Sequence, residues 1–392
     1  MKKYVALITI IAVLWSAVFM IISSKMPVTL ENKEERAVGS VISIKYREEE
    51  KTLLRFLEEH MLCTNGEILT NIKPGSGDMD TISESVGFLM SYAVMRNRKD
   101  LFDKEFLFLK KRLMVQDSYI RWRYGNEEVT CNAVIDDLRI AGALLDAYDL
   151  WQEKNYIETA RLIQQALFDK QVSEGKLYEF YDWKKNTSKK SIPLCYIDLY
   201  NIYRLAVFNK GWLEVANYGL DTLNKGRIVT KNANVSGNNT NILFNKYYDY
   251  QTKKYLKDEE YSRGKGICLT YTIYSALNLA NFNENTEFFT RWLKEEIGKG
   301  KLYAWYNPDT MMPAGEMEST AVYALAAVYS RKVGERELYN LLIDKMLQFR
   351  VRDVTSTYYG GFGNEVSGEF YSFDNLTALW ALASETEELH SQ

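Results

Sequence analysis

From residue 47 onward apolar residues recur at helical spacing, and the links between helical stretches alternate between very short and long. The periodicity predicts helices near 47–62, 81–97, 99–115, 133–151, 153–170, 193–207, 210–225, 260–281, 284–298, 316–333, 335–349 and 373–385. Only five prolines occur, and none interrupts the strongest of these stretches. Tight links, such as Asn97-Arg98 and Asn281 to Asn283, force neighbouring helices into antiparallel hairpins. The long links (116–132, 171–192, 226–259, 299–315 and 350–372) are rich in Gly, Asn and aromatics and must then gather at the other end. No sequence period recurs, which argues against a regular solenoid. The expected fold is all-α: about twelve helices as six hairpins closed into a ring, six inner and six outer, with functional loops on one rim.

The region before the ring has a different character. Lys2 and Lys3 precede "YVALITIIAVLWSAVFMII", residues 4–22, which carries no charge and ends at Ser23, Ser24 and Lys25. A bilayer core needs about 20 apolar residues, and a basic start keeps the N-terminus inside. Residues 1–25 are therefore expected to be a signal-anchor helix, with a cleaved signal peptide as the alternative. Residues 26–46 read as a polar stalk, and 47–392 as one helical domain. Either reading exports the domain, to the extracellular face of the cell membrane or as a secreted protein. Lys and Arg are scattered and the net charge is only -3, so nothing marks a nucleic-acid partner. Cys63, Cys131, Cys195 and Cys268 form no C-x-x-C pair and read as free thiols in helical or apolar settings.

Histidine is scarce: His60 and His390 are the two in the chain. That removes the base of a Ser-His-Asp or Cys-His mechanism and makes a His-ligated zinc site improbable. No cofactor or metal is expected, and proton transfer falls to carboxylates. Acids recur at the predicted inner-helix starts: Glu84, Asp136 and Asp137, Asp198, Glu260, Glu316 and Glu318, and Asp374. A first-turn acid is an ordinary partner for the helix dipole, with Ser83 a ready cap beside Glu84. Six such positions on one rim are less easily explained that way.

Three of these stretches resemble a known family. "AVIDDLRIAGALLDAYDLW" (133–151) is similar to the glycoside hydrolase family 8 signature Ala-Thr-Asp-Ala-Asp, two residues, Ile-Ala, ending in Trp; Ala133, Asp137, Ile140, Ala141, Ala143, Leu144, Leu145, Ala147 and Trp151 match. "SESVGFLMSYAV" resembles the family's Ser-Glu-Gly-x-Gly-Tyr-Gly-Met segment through Ser83, Glu84, Gly87, Met90 and Ala93, and "FDNLTALWAL" (373–382) its closing helix. The resemblance implies an (α/α)6 barrel and an inverting glycosidase, with Glu84 as general acid and Asp137 as an aspartate binding the sugar at the cleavage point. Such enzymes place acid and base about 6.5–9.5 Å apart to admit a water. The chain departs from the pattern at Val134, Ile135, Asp136 and Ser85, and lacks the Tyr-Asp-Ala-x-Arg that carries the base. "EEYSRG" offers Glu260 and "YYDYQT" offers Asp249 instead.

Aromatic loops suit a sugar cleft, because flat rings match the apolar faces of pyranoses. "YIRWRY" (119–124), "YEFYDW" (178–183) and "LYAWYN" (302–307) supply them. Trp122, Trp305 and Tyr306 are the expected platforms, with Asp136 and Arg123 as polar contacts. The leading expectation is a membrane-tethered hydrolase of a β-1,4-glycan or exopolysaccharide. The alternative is a catalytically impaired polysaccharide-binding protein of an exopolysaccharide synthesis or export system.

Overall fold

The structure is a computed structural model, and it describes residues 45–73, 80–116, 118–229, 242–257 and 266–385. The expected membrane helix and most of the stalk lie outside the described residues, as does Glu260. No helix among the described residues is long and apolar enough to cross a membrane.

Twelve α-helices are present among the described residues: α1 Arg47–His60, α2 Ser83–Met95, α3 Lys99–Phe108, α4 Val134–Trp151, α5 Lys154–Gln171, α6 Leu199–Arg204, α7 Trp212–Lys225, α8 Leu269–Asn281, α9 Glu287–Gly298, α10 Thr320–Lys332, α11 Arg336–Met346 and α12 Ser372–Ala383. The even-numbered helices pack in sequence, α2 on α4, α4 on α6, α6 on α8, α8 on α10, α10 on α12, and α12 back on α2. This is a closed inner ring, and the odd-numbered helices pack around it.

Composition explains which helix goes where. The long inner helices are buried around most of their circumference: all eleven residues of α10 from Thr320 to Ser330 are buried. Small residues let the inner backbones approach. A Cβ on Gly142 of α4 would meet Asn201 Oδ1 of α6 at 2.3 Å. Outer helices are amphipathic; α1 buries Leu53, Phe56 and Leu57 and keeps Glu48 in its first turn. Tight hairpins close through left-handed residues at Asn97, Gln152 and Asn283 and at Gly334, which end α2, α4, α8 and α10.

The long loops on the opposite rim are stapled by short strand pairs. Thr81–Ile82 pairs with Arg123–Tyr124, and Ile267–Cys268 with Trp305–Tyr306. Ser191–Pro193, Tyr247–Asp249 and Lys254–Leu256 form a three-stranded sheet. Three boundaries differ from the sequence reading. α3, expected to reach 115, ends at Phe108, passes through a wider π-helical turn at Leu109–Leu113 and gives way to a strand at Met114–Val115. The third inner helix is short, flanked by 3-10 turns at Leu194–Tyr196 and Leu205–Val207. The fourth begins at Leu269 rather than near 260. All four cysteines are free, and Cys195 is buried.

Candidate active site

Glu84 sits in the first turn of α2, where strand Thr81–Ile82 feeds into the inner ring. Ser83 does not cap that helix as expected. Its hydroxyl lies 3.3 Å from the Trp122 carbonyl and donates at 2.7 Å to Asp136 Oδ2 at the start of α4. The Ser83 N–H also donates to the Trp122 carbonyl, at 2.9 Å. These bonds place Glu84, Trp122 and Asp136 at one point of the rim.

Arg139, one turn into α4, completes the cluster. Its guanidinium donates to Asp136 Oδ1 at 3.2 Å and lies 4.2 Å from the centre of the Phe88 ring. Glu84 itself makes no hydrogen bond or ion pair with any described residue, and it stays partly open to solvent. Burial, followed by the Asp136 charge, pushes its carboxyl up to about 7, against the pull of Arg139. Burial also raises Asp136, but Arg139 and the Ser83 hydroxyl both favour its charged form. In this pair the charge therefore rests on Asp136 and the proton on Glu84.

Two tyrosines line the same space. Burial raises both phenols, and each feels the charges of Glu84 and Asp136: Tyr196 precedes α6 and Tyr274 lies on α8. The Tyr274 hydroxyl is enclosed without a hydrogen-bond partner among the described residues. Glu179 acts on Tyr196 as well. It lies in the loop before α6, where its carbonyl accepts from Val134 N–H at the head of α4 and its carboxylate accepts from Ser191 Oγ at 3.1 Å. Burial raises the Glu179 carboxyl, while Ser191, Lys189 and Lys246 hold it down.

The structure sorts the sequence-expected residues. Asp137 is not beside Glu84: it is buried at 2% exposure and accepts from Asn132, whose carbonyl oxygen in turn takes the Tyr181 N–H at 2.7 Å. One residue along a helix turns a side chain by about 100°, so Asp136 faces the ring centre and Asp137 a loop. Asp249 ends a strand, and its Oδ1 takes the N–H groups of Gln251 and Thr252 at 2.9 and 2.8 Å. It closes a hairpin turn. Tyr306 is fully buried and donates to Glu296 at 3.1 Å, so it is core rather than a platform. Its strand neighbour Trp305 faces the other way and is half-buried. Trp122 is exposed beside Glu84. Arg123 is anchored by Asp80, through Nε at 2.6 Å.

The profile of the family described as Glycosyl hydrolases family 8 matches residues 55–250. The chain belongs to this family. A putative lipoprotein, YdaJ from Bacillus subtilis (strain 168), is 30% identical over 332 residues, spanning 83% of this chain and 84% of that protein. Among solved structures, a novel alpha-amylase from Clostridium perfringens aligns with a TM-score of 0.78 at 29% identity, covering 90% of this chain and 100% of that one. PssZ from Listeria monocytogenes aligns with a TM-score of 0.67 at 19% identity over 87% of this chain and 97% of its own, a likeness of fold. The family 8 match runs from α1 to the turn at Tyr250 and so includes Glu84, Asp136 and Arg139.

Sequence reading missed Arg139, Tyr196, Tyr274 and Glu179 as site residues. Arg139 had a signal: it is the one cation in the otherwise apolar stretch Ile135–Leu145 apart from its acidic partners. Glu179 was visible as the acid inside the aromatic string "YEFYDW".

Proposed function

We propose that this family 8 protein hydrolyses a polysaccharide by an inverting mechanism with Glu84 as general acid. The observation that carries the reading is the placement of Glu84: at the rim, unbonded by described residues and beside the Asp136 charge, where burial and that charge push its carboxyl up to about 7. An acid of that kind can protonate a glycosidic oxygen at neutral pH. The reaction balances simply. Glu84 gives its proton to the leaving oxygen as the C–O bond breaks. Water bonds to the anomeric carbon from the opposite face, and a second carboxylate takes the proton that water loses.

Asp136 is the positioning acid of this scheme, tied to Ser83 and Arg139 and too engaged to activate water. Glu179 and Glu260 are the proposed bases, because Asp249 is committed to its turn. Trp122 and Trp305 are the proposed stacking platforms, and the Tyr196 and Tyr274 hydroxyls the proposed partners of sugar hydroxyls. Glucans, starch among them, are the first substrates to try, since the solved structure that aligns at 29% identity is named an alpha-amylase. Residues 4–22 are proposed to hold the domain at the extracellular face of the membrane, on the strength of their length, lack of charge and basic start.

The test is Glu84→Gln. It keeps size and neutral hydrogen bonding but removes the proton. Cleavage of β-1,4-glucan, starch or exopolysaccharide should fall about 100- to 10,000-fold, while binding and folding survive. Unchanged cleavage would make Glu84 a helix-dipole partner and remove the mechanism. A polysaccharide-binding role without catalysis has one observation in its favour: no described carboxylate stands free opposite Glu84. Cleavage by the wild-type protein separates the two readings, and Glu179→Gln then separates the two candidate bases, since it should abolish cleavage only if Glu179 rather than Glu260 is the base.

A further inference from the structure

On the same rim, away from Glu84, lies a cavity of about 790 Å³. Lys299 and Gln348 follow the C-termini of the outer helices α9 and α11, and Glu318 precedes the inner helix α10. Outer and inner helices run antiparallel, so this is the end where α2 and α4 begin. In the ring α10 stands three places from α4, directly across it. The cavity therefore occupies the rim sector opposite Asp136 and does not share residues with the Glu84 cluster.

Its lining pairs ring faces with unused polar groups. Tyr303 and Phe349 supply the rings and the exposed Met312 a soft edge. The Tyr303 hydroxyl, Lys345 Nζ and the Gln348 amide make no hydrogen bond or ion pair with any described residue. The walls are stiff. Glu296, buried at 2% exposure, accepts from Tyr306 at 3.1 Å and Lys299 at 2.5 Å. Glu318 accepts from Tyr323 at 2.6 Å and pairs with Lys301 at 2.8 Å. The volume falls within the range of small-molecule sites, about 300–1,000 Å³. Rings beside free donors and acceptors suit a pyranose, with its apolar C–H face and hydroxyl edge, better than a purely apolar or purely ionic ligand.

We infer that this cavity is a distal saccharide site that holds the glucan chain on the rim, remote from the bond being cleaved. The inference rests on the reading of the protein as a polysaccharide-active family 8 member, and its test is independent of catalysis. Glu84→Gln protein, which leaves the chain uncut, is run in native gels containing hydroxyethylcellulose or soluble starch. It is compared with Glu84→Gln/Tyr303→Ala, and with Glu84→Gln/Gln348→Trp, which fills the cavity from an exposed rim position. At least one glucan should retard the parent, and both cavity variants should weaken that retardation about threefold or more. Gln348→Trp should keep the melting temperature of the parent. Equal retardation of parent and both variants, or no retardation of the parent by either glucan, overturns the site. Glu84→Gln that still cleaves overturns the catalytic proposal instead and leaves this comparison readable.

Discussion

The rim over α2 and α4 and the rim over α10 and α12 start from the same material and end in different states. Both place acids at inner-helix starts. Over α10 and α12, Glu318 and Asp374 are engaged. Asp374 of α12 takes the Ala321 N–H at 3.1 Å and ties its helix to α10. Burial works against Glu318, but Lys301 and Tyr323 outweigh it and hold its carboxyl below the usual range. Over α2 and α4, Asp136 collects the partners, Ser83 and Arg139, and Glu84 is left with burial and a neighbouring negative charge. An acid in a first helical turn is structural by default. Its carboxyl is pushed up where the fold removes its partners, buries it and sets a like charge beside it.

The sharpest way to break this comparison is to neutralise one acid on each rim. Glu84→Gln should lower kcat/KM on polysaccharide about 100- to 10,000-fold. Asp374→Asn should leave it within a few-fold and cost about 1–2 kcal/mol of stability through the weakened bond to Ala321. Comparable activity losses in the two variants would erase the distinction between the rims.

Next in size is the removal of the Asp136 charge. Asp136→Asn leaves the Arg139 guanidinium buried without its anion, which should cost about 3–5 kcal/mol in urea unfolding. It also removes the charge that raises Glu84, so the alkaline limb of the pH–rate profile should move below its wild-type position near 7. A limb that stays in place would show that burial alone sets the Glu84 titration.

Linkage gives a smaller effect with a definite sign. In the folded chain Glu84 keeps its proton to about 7, whereas unfolding returns it to an ordinary value of 4.5. Its contribution to stability is thus fully present below about pH 4.5 and is lost as pH rises through 7. Glu84→Gln should match the wild-type melting temperature near pH 4 and exceed it at pH 8. Glu105 of α3 gives a comparison without function. It is wholly buried, neither carboxylate oxygen has a partner among the described residues, and burial raises it well above its usual value. Glu105→Leu should raise the melting temperature at pH 8 more than at pH 4 and leave cleavage untouched. An equal gain at both pH values would mean that the carboxyl does not titrate on unfolding.

Much of this was readable before any coordinates. Helical spacing together with alternating link lengths implied a ring of hairpins, and the described helices lie within a few residues of their expected bounds except at α3, α6 and α8. Glu84 stood out because it opens an apolar inner helix, and the family resemblance at 83–93 and 133–151 is matched by the family profile over 55–250. The choice between Asp136 and Asp137 was not readable. Both fit a first turn, and the signature aligns with the second, while helix rotation directs the first at Glu84. Tyr306 and Trp305 show the same difficulty in a strand: pairing with Ile267 and Cys268 turns one ring into the core and leaves its neighbour half-open.

The sequence by itself determined the helical ring, the scarcity of histidine and the supply of carboxylates at inner-helix starts, because periodicity and residue type are local properties. Only the tertiary structure decided which carboxylate keeps its proton. That depends on Ser83 and Arg139 satisfying Asp136, on the burial of Glu84, and on its unpaired position across the α2–α4 contact. Apart from the Asp136–Arg139 pair on one helix, these are contacts between groups far apart along the chain, and no short stretch of sequence contains them.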